Sequence, residues 1–162
     1  MQKNGITFVQ LARNNVDALS MLKVRAAEKH LVTANPEWIA QAAFEQVSAT
    51  FGVFENDVAV GLISLVDPRL FDDEADREDL QTDCLYVWRV MMDQHHRGKG
   101  LGTAAMNFVR DYAVLLGLQG VSLTTKDREA ANALAFYEGL NFKPTGRRLD
   151  GEIELVWRVA NK

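Results

Sequence analysis

The sequence predicts one α/β domain over residues 1–162, with hairpins built on a mixed sheet. Three observations predict it. Apolar stretches of strand length alternate with stretches whose apolar residues recur every three to four positions. Two pairs of strand-like stretches meet at two-residue turns, Asn56-Asp57 and Asp150-Gly151, which makes each pair an antiparallel hairpin. No internal repeat or linker divides the 162 residues, a length that buries one sizeable core.

The elements follow in order. Ile6 to Leu11 reads as a strand and Asn14-Asn15 as a turn. Val16, Leu19 and Leu22 share one face of a helix expected over 16–30. Asn35-Pro36-Glu37 opens a second helix, with Asn35 a candidate cap and Pro36 at the first helical position, running through Trp38, Ile39, Ala42 and Phe44. Phe51 to Glu55 and Val58 to Val66 are two strands, the second ended by Pro68. Cys84 to Met92 is a buried strand. Leu101, Ala105, Phe108, Val109, Tyr112 and Leu116 set a helix over 100–116 that Gly117 stops. Gly120 to Thr125 is a strand and 127–138 a short helix. Phe142 to Leu149 and Ile153 to Val159 form the closing hairpin.

At 48% hydrophobic and 25% charged residues the chain has the composition of a folded globular domain. Its formal net charge of -4 argues against general nucleic-acid binding, which needs a basic face. The single cysteine, Cys84, lies in an apolar run, so a reducing compartment is expected and the thiol reads as a small core residue. No apolar run approaches the roughly 20 residues of a membrane span, and the N-terminus lacks a signal-peptide core. The expectation is a cytoplasmic protein without a membrane partner. From Asp67 to Asp83 eight acidic residues stand against two basic ones. The segment reads as a solvated loop, or as an anionic lip that draws in a cation.

Arg97-Gly98-Lys99-Gly100-Leu101-Gly102-Thr103 carries the chemistry. It lies between a buried strand and a helix start. Glycines let backbone approach a phosphate, and the first N–H groups of a helix point at an anion. A nucleotide-containing ligand is the expectation. The P-loop spacing is absent. Gly100 to Ala105 fits a GxGxxA dinucleotide fingerprint with Asp127 after the next strand, but too little chain follows to complete that fold.

A second signature follows at Asn132-Ala133-Leu134-Ala135-Phe136-Tyr137-Glu138-Gly139. Together with Arg97-x-x-Gly100-x-Gly102 it resembles the GNAT superfamily of acetyl-CoA-dependent N-acetyltransferases, over about Phe51 to Arg158. The resemblance implies the GNAT fold: a mixed, mostly antiparallel central sheet flanked by helices, with splayed central strands. It implies acetyl-CoA as cofactor, its pyrophosphate on Arg97, Gly98, Lys99, Gly100, Leu101, Gly102 and Thr103. The pantetheine arm would lie along Val90, Met91 and Met92, where a backbone N–H near Val90 or Met91 would polarise the thioester carbonyl. Asn132 matches a residue that contacts the cofactor arm, and Tyr137 matches the general acid that protonates the leaving thiolate. His95 and His96 read as exposed loop residues. With only His30 besides, no metal site is expected.

Trp88-Arg89-Val90-Met91-Met92-Asp93, His30-Leu31-Val32 with Asn35-Pro36, and Leu149 to Glu154 also resemble bacterial diamine and polyamine acetyltransferases. This implies a small-molecule amine substrate, and Glu28, Asp83, Glu152 and Glu154 are the carboxylates expected to hold its ammonium groups. The amine must lose a proton first. The central strand from Leu85 to Met92 has no carboxylate, so Glu28 is the candidate base, with Asp83 and a water chain as alternatives. Arg89, the only charge on that stretch, reads most simply as half of a structural ion pair. A protein N-terminus, an amino acid or an aminoglycoside are other acceptors within the same chemistry. A coenzyme A-binding regulatory module without turnover is the reading from another class. By analogy with the family, a homodimer through the C-terminal strands is expected.

Overall fold

The computed structural model describes residues 5–73 and 79–161. Seven strands form one sheet in the order β1-β2-β3-β4-β5-β7-β6. They are β1 (Ile6–Gln10), β2 (Ser48–Glu55), β3 (Val58–Val66), β4 (Cys84–Met92), β5 (Gly120–Thr125), β6 (Lys143–Leu149) and β7 (Glu152–Arg158). The helices are α1 (Val16–Ser20), α2 (Asn35–Phe44), α3 (Leu101–Leu115) and α4 (Leu134–Gly139). Every neighbouring pair is antiparallel except β4 and β5. Both expected hairpins form. Their turns put two consecutive residues at positive φ, 48° and 68° at Asn56-Asp57 and 49° and 80° at Asp150-Gly151, the pattern that matches strand twist.

Helices cover both faces of the sheet, so its central strands are apolar on both sides. Val60, Ile63 and Leu65 of β3 join Leu101, Ala105, Met106 and Val109 of α3 in the larger core. Leu62 of β3 and Met91 of β4 pack with Leu19 of α1 and Trp38 of α2 in the smaller one. Within the latter, the Trp38 indole N–H donates to the Ser64 hydroxyl at 2.7 Å, and that hydroxyl meets Thr50 Oγ1 at 2.6 Å. The buried polar atoms of this corner are thereby satisfied.

One departure from regularity positions the site. On β3, Ser64 faces Arg89 while the next residue, Leu65, faces Val87. Trp88 is therefore an extra residue, a bulge that bends β4. On its other edge β4 pairs with β5 only through Cys84–Gly120, Leu85–Val121 and Tyr86–Ser122. Beyond Tyr86 the two strands part, as the resemblance implied.

Two helices are shorter than their sequence periodicity predicts. The first ends at Ser20 rather than near His30. Past it, the Lys23 N–H donates to Asp93 Oδ1 at 3.0 Å and the Lys23 carbonyl accepts from the Gln94 N–H at 2.7 Å, so this backbone is tied to the end of β4 instead of to itself. The helix expected over 127–138 begins only at Leu134. Asn132 Oδ1 accepts the Leu134 N–H at 3.0 Å, and the Ala131 carbonyl bonds the His30 ring at 2.8 Å, leaving 127–133 irregular. No helix among the described residues is long and apolar enough to cross a membrane.

Candidate active site

Gly98 and Gly100 hold φ of 78° and 72°, a region costly for any residue with a Cβ, and they turn the chain sharply from β4 into α3. Gly102 lies beneath Phe136, whose ring would stand 3.1 Å from an added Cβ. The first intrahelical bond of α3 runs from the Ala104 N–H to the Gly100 carbonyl, and no side chain caps this end. The N–H groups of Leu101, Gly102 and Thr103 therefore have no intrahelical acceptor, at the positive end of a 15-residue helix dipole. This donor set fits a phosphate. Asp93 fixes the base of the loop. Burial pushes its carboxyl up, but N–H donors from Lys23 and His95 and the His96 ring outweigh that and hold it below the usual carboxylate range.

The glycine loop and the parted strands share a cavity of about 1300 Å³. Val90, Met91 and Met92 of β4 form part of its wall, and Thr103, Asn132 and Tyr137 face it from α3, the loop before α4, and α4. The segment after α1 lines the cavity and is tied down from several sides. Arg97 grips Glu28 with both arms, at 2.9 and 3.0 Å, and Arg25 adds two bonds at 2.5 and 3.2 Å. The Lys126 ammonium donates to the His30 carbonyl. Lys99 turns away to Glu55 at 3.4 Å.

Tyr137 is 7% exposed, its ring between Phe136 and Phe142. Its hydroxyl has no hydrogen-bond partner among the described residues. Burial, reinforced by the charge of Glu152, pushes the phenol up to about 12. Asn132 lines the cavity, but its side chain serves its own loop: Nδ2 donates to the Glu129 carbonyl and Oδ1 accepts from Leu134.

The structure separates the four carboxylates grouped by sequence. Glu152 lines the cavity and its Oε2 accepts from the Thr124 hydroxyl at 2.8 Å. Glu28 also lines it, with both oxygens engaged by arginines. Asp83 is not in the cavity wall and pairs with Arg158 at 2.7 Å. Glu154, 2% exposed, is taken up by Arg147, Thr145 and Gln81 behind the sheet edge. Of the acidic stretch 67–83, Asp79 borders the cavity, Asp67 is bound to Arg69 at 2.7 Å, and Glu74, Asp76 and Glu78 lie outside the described residues. Cys84 is buried and not in the cavity wall, and burial pushes its thiol up to about 12.

Sequence reasoning did not single out Tyr86 and Thr124. The Tyr86 hydroxyl lies 3.4 Å from Thr124 Oγ1, which continues to Glu152. The signal was the alternation of Tyr86 and Trp88 along β4, read only as apolar pattern. Arg89 also departs from its expected part: it lines the cavity and forms no ion pair or hydrogen bond with any described residue. Its guanidinium lies 4.4 Å above the Trp88 ring.

Residues 13–142 match the model of the acetyltransferase (GNAT) family. No curated protein sequence matches the chain. Among solved structures it resembles the PaiA N-acetyltransferase of Thermoplasma acidophilum in complex with coenzyme A, with a TM-score of 0.67 at 10% identity, covering 95% of this chain and 99% of that one. It also resembles the dodecameric spermidine N-acetyltransferase of Vibrio cholerae, with a TM-score of 0.64 at 14% identity over 96% and 95% of the two chains. A third is the ribosomal-protein-S18-alanine N-acetyltransferase of Escherichia coli, at 0.61 and 16% identity over 93% and 90%. At these identities the likeness is one of fold.

Proposed function

The chain belongs to the acetyltransferase (GNAT) family, enzymes that draw on acetyl-CoA, and on that premise we propose that it acetylates the primary amine of a small molecule by direct attack in a ternary complex. The observation that carries this reading is the cleft where β4 and β5 part, walled by the glycine loop, the open start of α3 and the buried phenol of Tyr137. The loop from Arg97 to Thr103 holds the pyrophosphate through backbone N–H groups. Arg97 joins them by exchanging Glu28 for phosphate oxygen. The β4 edge at Val90, Met91 and Met92 binds the pantetheine amides as a further strand would, and a backbone N–H there faces the developing oxyanion. Bound acetyl-CoA supplies the thioester carbonyl and a thiolate leaving group. Tyr137 donates its proton to that sulfur. Glu152 accepts the proton of the attacking ammonium, held in place by Thr124; Glu28, the base expected from sequence, keeps Arg25 as its partner when Arg97 turns to the phosphates.

The finer reading, a diamine or polyamine acceptor, is supported by Asp79, Asp150 and Glu152 in the cavity wall. Arg89 favours a second one, an acceptor such as an amino acid that carries a carboxylate beside its amine. The exposed edge strand β6 fits pairing of two copies through the C-terminal strands. A thiol-release assay with acetyl-CoA tests the function, using putrescine, spermidine, spermine, amino acids, an alanyl peptide and an aminoglycoside. Release with one class and not the others identifies the acceptor. Coenzyme A binding with no release from any amine overturns the transferase reading in favour of a regulatory module.

A further inference from the structure

Arg89 stands on the strand whose neighbours line the cavity, on the same face as Met91, and its side chain forms part of the cavity wall. Its Nη1 is buried without a hydrogen-bond partner. Arginine carries five N–H donors and stays charged, so a guanidinium nitrogen withdrawn from water and left unpaired is a cost that a fold keeps only where something offsets it. Stacking on Trp88 at 4.4 Å holds the guanidinium plane but satisfies none of its N–H groups. Glu37 of α2 acts on Arg89 through space without forming an ion pair. Across the cavity, the Tyr86 hydroxyl meets Thr124, whose own hydroxyl donates to Glu152.

We infer that Arg89 is an oxyanion subsite, and that the acceptor is therefore a small amine that also carries a carboxylate or an equivalent oxyanion. The amine is placed at Glu152, which takes its proton, and the anion at the planar fork of Arg89. A diamine or polyamine has a second cation where the cavity presents this guanidinium, and like charges brought together repel. The inference rests on the acetyl-transfer reading of the same cavity and decides between its two acceptor classes.

The test pairs α- and ω-amino acids with their own carboxamides, alongside putrescine and spermidine, in the thiol-release assay. The free acid is expected to exceed its carboxamide in kcat/KM by about 10–100-fold, the worth of a charge-assisted contact. Arg89→Met, which keeps the packing over Trp88, should bring that ratio near one while leaving the acetyl-CoA affinity unchanged. Arg89→Lys should restore part of it. Polyamines preferred over every amino acid, or a ratio that Arg89→Met does not move, overturns the inference. Calorimetry on the coenzyme A-loaded protein separates the two readings: amino-acid binding that depends on Arg89 without turnover upholds the subsite and overturns the transfer chemistry. No amino acid binding at all overturns the subsite, whatever the amine panel shows.

Discussion

Tyr137 keeps its proton at a pH where a solvated tyrosine loses it, because the phenolate would stand in a nearly dry pocket beside Glu152. Tyr137→Phe is expected to lower kcat by about 10²-fold or more while the dissociation constant of coenzyme A stays as in the wild type. Full activity in this variant would remove the residue from the mechanism. Since burial raises the phenol to about 12, the acid form persists up to that pH, and the rate should show no descending limb with a pKa near 10. A limb near 10 that vanishes in Tyr137→Phe would contradict the burial argument. The glycine loop was legible in the sequence because its features are local, a turn and a helix start, whereas Tyr137 came to notice only through the family resemblance. The carboxylates were not legible. What decides whether Glu28, Asp83 or Glu154 is open to a ligand is an arginine or glutamine that the fold brings from far along the chain, as Arg97 comes to Glu28 and Arg158 to Asp83.

The closing half of the sheet depends on close backbone approach at one strand. A Cβ on Gly120 would lie 2.2 Å from the Trp157 carbonyl oxygen, a backbone atom of β7 that cannot step aside without breaking the pairing. Gly120→Ala is expected to destabilise the protein by about 1–3 kcal/mol, read as a lower melting temperature. An unchanged melting curve would show that β5 and β7 can separate locally at no cost. Most strands were legible as apolar runs with positive-φ turns between them, while the polar edge strand β6 was legible from the Asp150-Gly151 turn that pairs it with β7. α1 and α4 were overestimated because a helical period continues past their ends. The backbone there is taken by partners the period cannot reveal, Asp93 for the segment after α1 and His30 for the segment before α4.

Across the whole molecule, Glu154 ties β7 to two other pieces of chain: Gln81 ahead of β4, and Thr145 and Arg147 of β6. Burial pushes its carboxyl up, but these hydrogen bonds prevail and hold it below the ordinary value of 4.5. A depressed carboxylate contributes stability that is present above its unfolded pKa and lost as pH falls through its folded one. Glu154→Gln is expected to cost about 1–3 kcal/mol at neutral pH. It should also flatten the loss of stability below about pH 4.5, both measurable by denaturant titration at stepped pH. A variant with the wild-type acid profile would place that sensitivity elsewhere. The parting of β4 from β5 acts at the same scale. Past Tyr86 the β5-facing amides of β4 have no strand to shield them, although they sit at the middle of a seven-stranded sheet. Their deuterium uptake should resemble that of an outer edge rather than of a central strand. It should slow when acetyl-CoA is added, so that isotope exchange at the β5-facing amides between Val87 and Met92 reports occupancy of the cleft without any turnover.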